Sequence, residues 1–114
     1  MKENIMQSVA ETRSYVAKAE KILTLSERDK VIDLLASHPT AGSVIEGTGG
    51  VRKVRFAIGN KGQSGGVRVV YYYYNESIPI LLLSLFAKNE KSNLSDAECK
   101  ALSQIVKAIK QSLK

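Results

Sequence analysis

From Arg13 the apolar residues Val16, Ala19, Ile22 and Leu23 recur at the three- and four-residue spacing of one helical face. That spacing predicts a helix over Arg13 to Leu25. Ser26 then reads as an N-cap, with Asp29 three residues on. Val31, Leu34 and Leu35 supply the buried stripe of a second helix. His38-Pro39 ends it, because the residue before a proline is pushed out of helical geometry. Two short helices joined so tightly predict a helical hairpin. The stretch Ile5 to Thr12 before them is compatible with a short edge strand.

After the Gly-rich loop Gly47 to Gly50 the period changes from helical to alternating. In Val51–Ala57, Val51, Lys53, Arg55 and Ala57 face one way and Arg52, Val54 and Phe56 the other. Gly59 to Gly66 is polar, with Lys61 near its tip. Val67–Tyr74 is dense in β-branched and aromatic residues and reads as the next strand. Asn75 to Pro79 makes a turn. Ile80–Ala87 is apolar nearly throughout, as a strand covered on both faces would be. Three strands with short connections predict an antiparallel meander. Strict alternation gives its core face Val54, Phe56, Val69, Tyr71, Leu83 and Leu85. The chain closes on a helix that opens with a Ser95-to-Glu98 capping box and carries the stripe Leu102, Ile105, Val106, Ile109 and Leu113. That stripe predicts packing on the sheet.

The 114 residues suffice for one domain with one core, spanning 1–114. Charge changes the picture more than length does. Residues 1–46 balance at −1, 47–91 at +5 and 92–114 at +2, so the positive excess belongs to the strands and not to a tail. Val51 to Arg68 holds five cations and no acid. A one-sign cluster on a sheet is a ready surface for a polyanion, RNA first among them. Cys99 is the single cysteine, which excludes an intrachain disulfide. No apolar run is long enough to span a bilayer and no secretory signal is visible, so a cytoplasmic protein is expected. The sequons at Asn75 and Asn93 are then read as chance matches.

If Lys53 and Arg55 share a face with Arg68, three cations converge, with Lys88 just beyond the third strand. Like charges make a lysine easier to deprotonate, so one amine can serve as a base while its neighbours hold phosphate. RNA cleavage asks for little more: deprotonation of a 2′-hydroxyl, stabilisation of the phosphorane and protonation of the 5′-oxygen. Arginine suits the second task because its fork takes two phosphate oxygens. Arg52, Lys61 and Lys91 are further candidates for RNA contact, and two of the four tyrosines Tyr71 to Tyr74, Tyr72 among them, for base stacking. The same residues are also compatible with a solvated basic face and packed tyrosines. His38 at a helix end, Cys99 in a helix and the glycines at 47, 49 and 50 suggest no catalytic triad, zinc site or Walker loop. No cofactor or metal is expected.

The succession GTGGVRKVRFA, GGVRVVYYYY and LFAKNEKSNLS, followed by an amphipathic helix, resembles the RelE/ParE toxin superfamily, nearest its HigB-type members. The resemblance implies a small α+β fold: an N-terminal helical hairpin packed on a twisted antiparallel sheet, with a C-terminal amphipathic helix. It implies the toxin of a type II toxin–antitoxin system, an mRNA endonuclease acting in the ribosomal A site without a metal. It also implies a cognate HigA-like antitoxin with a helix-turn-helix domain. Carried over by position, Lys53 and Arg55 serve proton transfer and phosphate contact, and Arg68 stabilises the phosphorane. Lys88, or Lys91 as the alternative, assists the leaving group or binds the backbone. RelE carries a C-terminal tyrosine in its site, whereas no tyrosine follows Tyr74 here, and Glu90 is the alternative base or an orienting partner. The superfamily also includes ParE-like gyrase poisons, and a non-catalytic RNA-binding module is the third reading of the basic sheet.

Overall fold

The computed structural model describes residues 6–59, 66–88 and 93–113. The elements run β1 (Val9–Glu11), α1 (Arg13–Ile22), α2 (Leu25–Ser37), β2 (Ser43–Val44), β3 (Val51–Phe56), β4 (Val67–Tyr72), β5 (Ile80–Ala87) and α3 (Asp96–Ser112). The architecture is α+β. Five strands form one sheet in the order β1-β5-β4-β3-β2. β3, β4 and β5 make the antiparallel meander that their short connections predict. The early edge strand is present too, but β1 runs parallel to β5, matching Val9 with Ile80. The sheet is therefore mixed rather than wholly antiparallel. Parallel neighbours need a long crossover, and everything from α1 to β4 lies between these two strands. β2 adds a pair of residues to the opposite edge, too short to show an alternation in sequence.

The sheet is covered on both faces. On one, Tyr15, Ala19 and Leu23 from the first helix and its exit, with Val31 and Leu35 from the second, pack on Val67, Val69, Tyr71, Ile80, Leu82 and Leu85. On the other, Leu102 and Val106 of α3 pack on Val51, Val70, Tyr72, Leu83 and Phe86. Leu83 departs from the expected core face. The β4–β5 register breaks between Val70 and Tyr71: Val70 pairs with Ser84, whereas Tyr71 pairs with Leu82. The extra residue turns Leu83 toward α3, as a β-bulge does.

The helix boundaries also differ from the periodicity. α1 ends at Ile22 because Leu23 is extended, at φ −110° and ψ 145°, and buried. The cap of α2 is Thr24 and not Ser26. Thr24 Oγ1 accepts from the Glu27 backbone N–H at 3.1 Å, and Glu27 Oε1 accepts from the Thr24 N–H at 2.9 Å. Ser26 lies in the first turn. Along α2 the buried residues are Val31, Leu35 and Ala36, and Leu34 is only partly buried. The box on α3 is as expected, with Ser95 and Glu98 bonded reciprocally at 3.1 and 2.8 Å.

The loops that enter β2 and β3 are pinned from within. The buried Thr48 hydroxyl donates to Ile45 O at 2.7 Å and accepts from Val51 N–H at 3.0 Å. Gly49 beside it has φ +81°, and a Cβ there would come within 3.3 Å of Val106 on α3. Its lack of a side chain therefore lets the loop close under the helix. Tyr71 reaches through the first core to donate to Pro39 O and accept from Gly42 N–H, each at 2.8 Å.

Candidate nucleic-acid interface

β3 alternates between the two cores, and that alternation sorts its cations. Val54 and Phe56 pack toward the helical hairpin. Val51 packs toward α3, so Lys53 and Arg55 lie on the α3 face. Lys53 pairs across the sheet with Val70, a member of the α3 core, and Arg55 pairs directly with Arg68. Arg68 is opposite Phe86 on its other side. Three cations of two adjacent strands thus share one face, with Arg68 set between a guanidinium neighbour and an aromatic one.

Two features of this cluster run against what stability alone would select. Like charges directly opposite on a sheet are unfavourable by roughly 0.2–1 kcal/mol, yet Arg55 and Arg68 hold such a position. The Nη1 atom of Arg68 is also buried without a hydrogen-bond partner among the described residues, whereas most buried polar atoms have one. An orphaned guanidinium nitrogen beside a second arginine is a geometry that an incoming anion would complete. Lys53 is held differently: its Nζ donates to Asn93 Oδ1 at 3.0 Å, from the segment that leads into α3.

The remaining candidates lie elsewhere. Lys88 is exposed just past β5, its backbone N–H donating to Gly66 O at 3.2 Å, which ties the end of β5 to the start of β4. Arg52 is opposite Tyr71, on the hairpin side, and its Nη1 donates to Gly42 O at 2.6 Å. That bond makes it a brace for the loop before β2, on the other face from the cluster. Tyr72 is 3% exposed in the α3 core, so its ring is not presented for base stacking. Burial, with Tyr74 nearby, pushes its phenol up from the ordinary value. The open ring is Tyr74, 6.4 Å from Tyr72 between centroids. Lys61, Glu90 and Lys91 lie outside the described residues.

Sequence reasoning passed over Asn93 and Phe86. Asn93 carries no local signal, because its partner Lys53 lies 40 positions away; Phe86 had only the apolarity of its strand. An apolar groove lies alongside α3, lined in part by Val70, Leu83, Leu94 and Ile105, and contains none of the cations. Among the described residues no three His, Cys, Asp or Glu side chains gather as a metal site. No described helix is long and apolar enough to cross a membrane.

The chemistry available is therefore electrostatic: a pair of arginines and a tethered lysine on one sheet face, able to hold a phosphodiester. The family model described as the RelE toxin of the RelE/RelB toxin–antitoxin system matches residues 16–114, a span that contains both sheet faces and every cation of the cluster.

Proposed function

The chain belongs to the RelE toxin family, and from that premise we propose that it cleaves messenger RNA in the ribosomal A site. It is a toxin of a toxin–antitoxin system; the finer reading is a HigB-type interferase, cytoplasmic, neutralised by a HigA-like antitoxin with a helix-turn-helix domain. The observation that carries the reading is the cross-strand pair of Arg55 and Arg68 with the orphaned Nη1 of Arg68.

The step assigned to the site is a transesterification. A base takes the 2′-hydroxyl proton, the 2′-oxygen bonds to phosphorus, and the bond from phosphorus to the 5′-oxygen breaks as that oxygen receives a proton. Lys53 and Arg55 serve proton transfer and phosphate contact. Arg68 offers two parallel donors to the phosphorane, where charge builds in the transition state. Lys88 assists the leaving group or binds the backbone. Glu90, and Lys91 as the alternative to Lys88, keep the roles that the resemblance gives them, and Lys61 remains a candidate for the RNA backbone. The pair of arginines favours this reading because a planar fork matches a phosphate with two equatorial oxygens.

The experiment is cleavage mapping of an mRNA on translating ribosomes with wild type and Arg68→Ala. Loss of one preorganised donor is expected to lower the rate about 100- to 1,000-fold, with the circular dichroism spectrum unchanged. A folded Arg68→Ala protein that cuts at the full rate would remove the arginine from the mechanism. Wild-type protein that stops DNA synthesis before protein synthesis would indicate a gyrase poison. RNA binding without scission, even on ribosomes, would indicate a binding module.

A further inference from the structure

The Lys53 amine is exposed, yet it has a specific partner. Its Nζ meets Asn93 Oδ1 at 3.0 Å, and Asn93 is itself placed by its neighbours toward α3. Leu94 packs into the α3 core. Ser95 and Glu98 close a reciprocal capping box that fixes the first turn of α3. Asn93 therefore stands two residues ahead of a rigid helix start, on the same face as the cation cluster.

We propose that Asn93 is a positioning residue for Lys53, so that the capped N-terminus of α3 sets where the amine lies beside Arg55 and Arg68. A lysine amine on its flexible four-carbon stem otherwise samples many positions, and a catalytic group must be held near its working geometry to be effective. An amide oxygen is suited to the task. It accepts a hydrogen from the amine and brings no negative charge to a surface that must receive phosphate, whereas a carboxylate would neutralise part of the cluster. The inference rests on the cleavage reading for its consequence in rate, but the contact itself can be tested without cleavage.

Two measurements test it. The order of the Lys53 ε-methylene is followed by NMR in wild type, Asn93→Ala and Asn93→Asp. Cleavage of ribosome-bound mRNA is followed in a double-mutant cycle of Asn93→Ala with Lys53→Ala. Asn93→Ala is expected to drop the methylene to the order of solvent-exposed lysines. Asn93→Asp, which keeps an acceptor at the same reach, is expected to restore it. In cleavage, Asn93→Ala is expected to lower kcat about ten- to a hundred-fold, to leave KM for the ribosome–mRNA complex little changed, and to cost nothing further in the Lys53→Ala background. Unchanged Lys53 order in Asn93→Ala, or fully additive losses in kcat, would overturn the proposal. Cleavage at the wild-type rate by Lys53→Ala would also overturn it, through the role assigned to Lys53. Absence of cleavage by wild type would sink the nuclease reading alone, and Lys53 order would still decide whether Asn93 holds the amine.

Discussion

Arg68 and Tyr15 each hold a buried polar atom without a partner among the described residues, and the two orphans carry different expectations. At Arg68 the missing partner coincides with a like-charged neighbour directly opposite, Arg55. Arg68→Met should therefore leave stability unchanged or raise it by up to about 1 kcal/mol while abolishing cleavage. Denaturant midpoints and ribosome cleavage, measured on the same preparation, check this, and a clear loss of stability would show that the arginine is structural. Tyr15 is fully buried at the heart of the hairpin core, far from any role in RNA chemistry. Burial first, and Glu11 second, push its phenol to about 12 from an ordinary 10.0, Arg28 opposing. The folded state thus keeps the proton that the unfolded chain releases first. Its contribution is intact below pH 10 and is lost as pH rises toward 12. Tyr15→Phe should raise stability near neutrality by about 1 kcal/mol and flatten the decline between pH 10 and 12, read by urea denaturation across that range. Lys53, Arg55 and Arg68 could be picked out of the sequence because alternation alone assigns a face. Asn93 could not, because its role depends on a contact 40 positions away. The reverse error occurred at Tyr72, where alternation fixed the face but could not tell that α3 covers it.

The N-terminus of α2 shows how an element can be legible while its boundary is not. Both Thr24 and Ser26 are followed three residues later by an acid, Glu27 and Asp29, and Thr24 with its glutamate is the better capping box. A distant contact adds to it: Glu27 Oε2 accepts from the Gly59 N–H at 2.9 Å, which ties the start of α2 to the loop after β3. The Thr24 backbone bond is the largest cause of a carboxyl held below its ordinary range, with Gly59 assisting. The sign comes from linkage. A depressed carboxyl contributes stability above its unfolded value, near 4.5, and loses it as pH falls through the folded value. Thr24→Ala or Glu27→Ala should cost about 1 kcal/mol at pH 7, and the Glu27→Ala deficit should shrink as pH is lowered below 4.5. Ser26→Ala should stay within about 0.5 kcal/mol. Thermal unfolding of the three variants at both pH values tests the assignment, and a Ser26→Ala loss equal to that of Thr24→Ala would restore Ser26 as the cap. The meander needed no such distant information, because short connections between apolar runs leave few alternatives. The mixed direction of the sheet did, since three residues of β1 cannot announce their orientation.

At the scale of the molecule, helices on both faces leave the sheet no wholly solvated side, yet the net charge of +6 is concentrated in its strands. The resolution is a division along the strands. On the α3 face Val51, Val70 and Tyr72 are buried beneath the helix, while the cations Lys53, Arg55 and Arg68 occupy the positions toward the other end of β3 and the start of β4. The cations lie where the α3 cover ends, Arg68 partly buried at its margin, so a chain with a double-covered sheet can still present a basic surface. The one-sign run was visible in sequence, but the division was not, because alternation assigns a face and cannot tell which stretch of that face α3 covers. The arrangement makes a quantitative demand on binding. Each phosphate neutralised on a single strand contributes a slope of about −0.7 to log K against log salt, so three cations acting together require a slope of roughly −2. Substituting Arg55 or Arg68 by glutamine should reduce it by about 0.7 for any RNA sequence, whereas Arg52→Gln, whose guanidinium braces the 40–42 loop from the opposite face, should leave the slope unaltered. Fluorescence anisotropy of a short single-stranded RNA over a range of salt separates the outcomes. An Arg52 variant that lowers the slope as much as an Arg68 variant would mean that RNA reaches both faces, and the division by face would then not define the site.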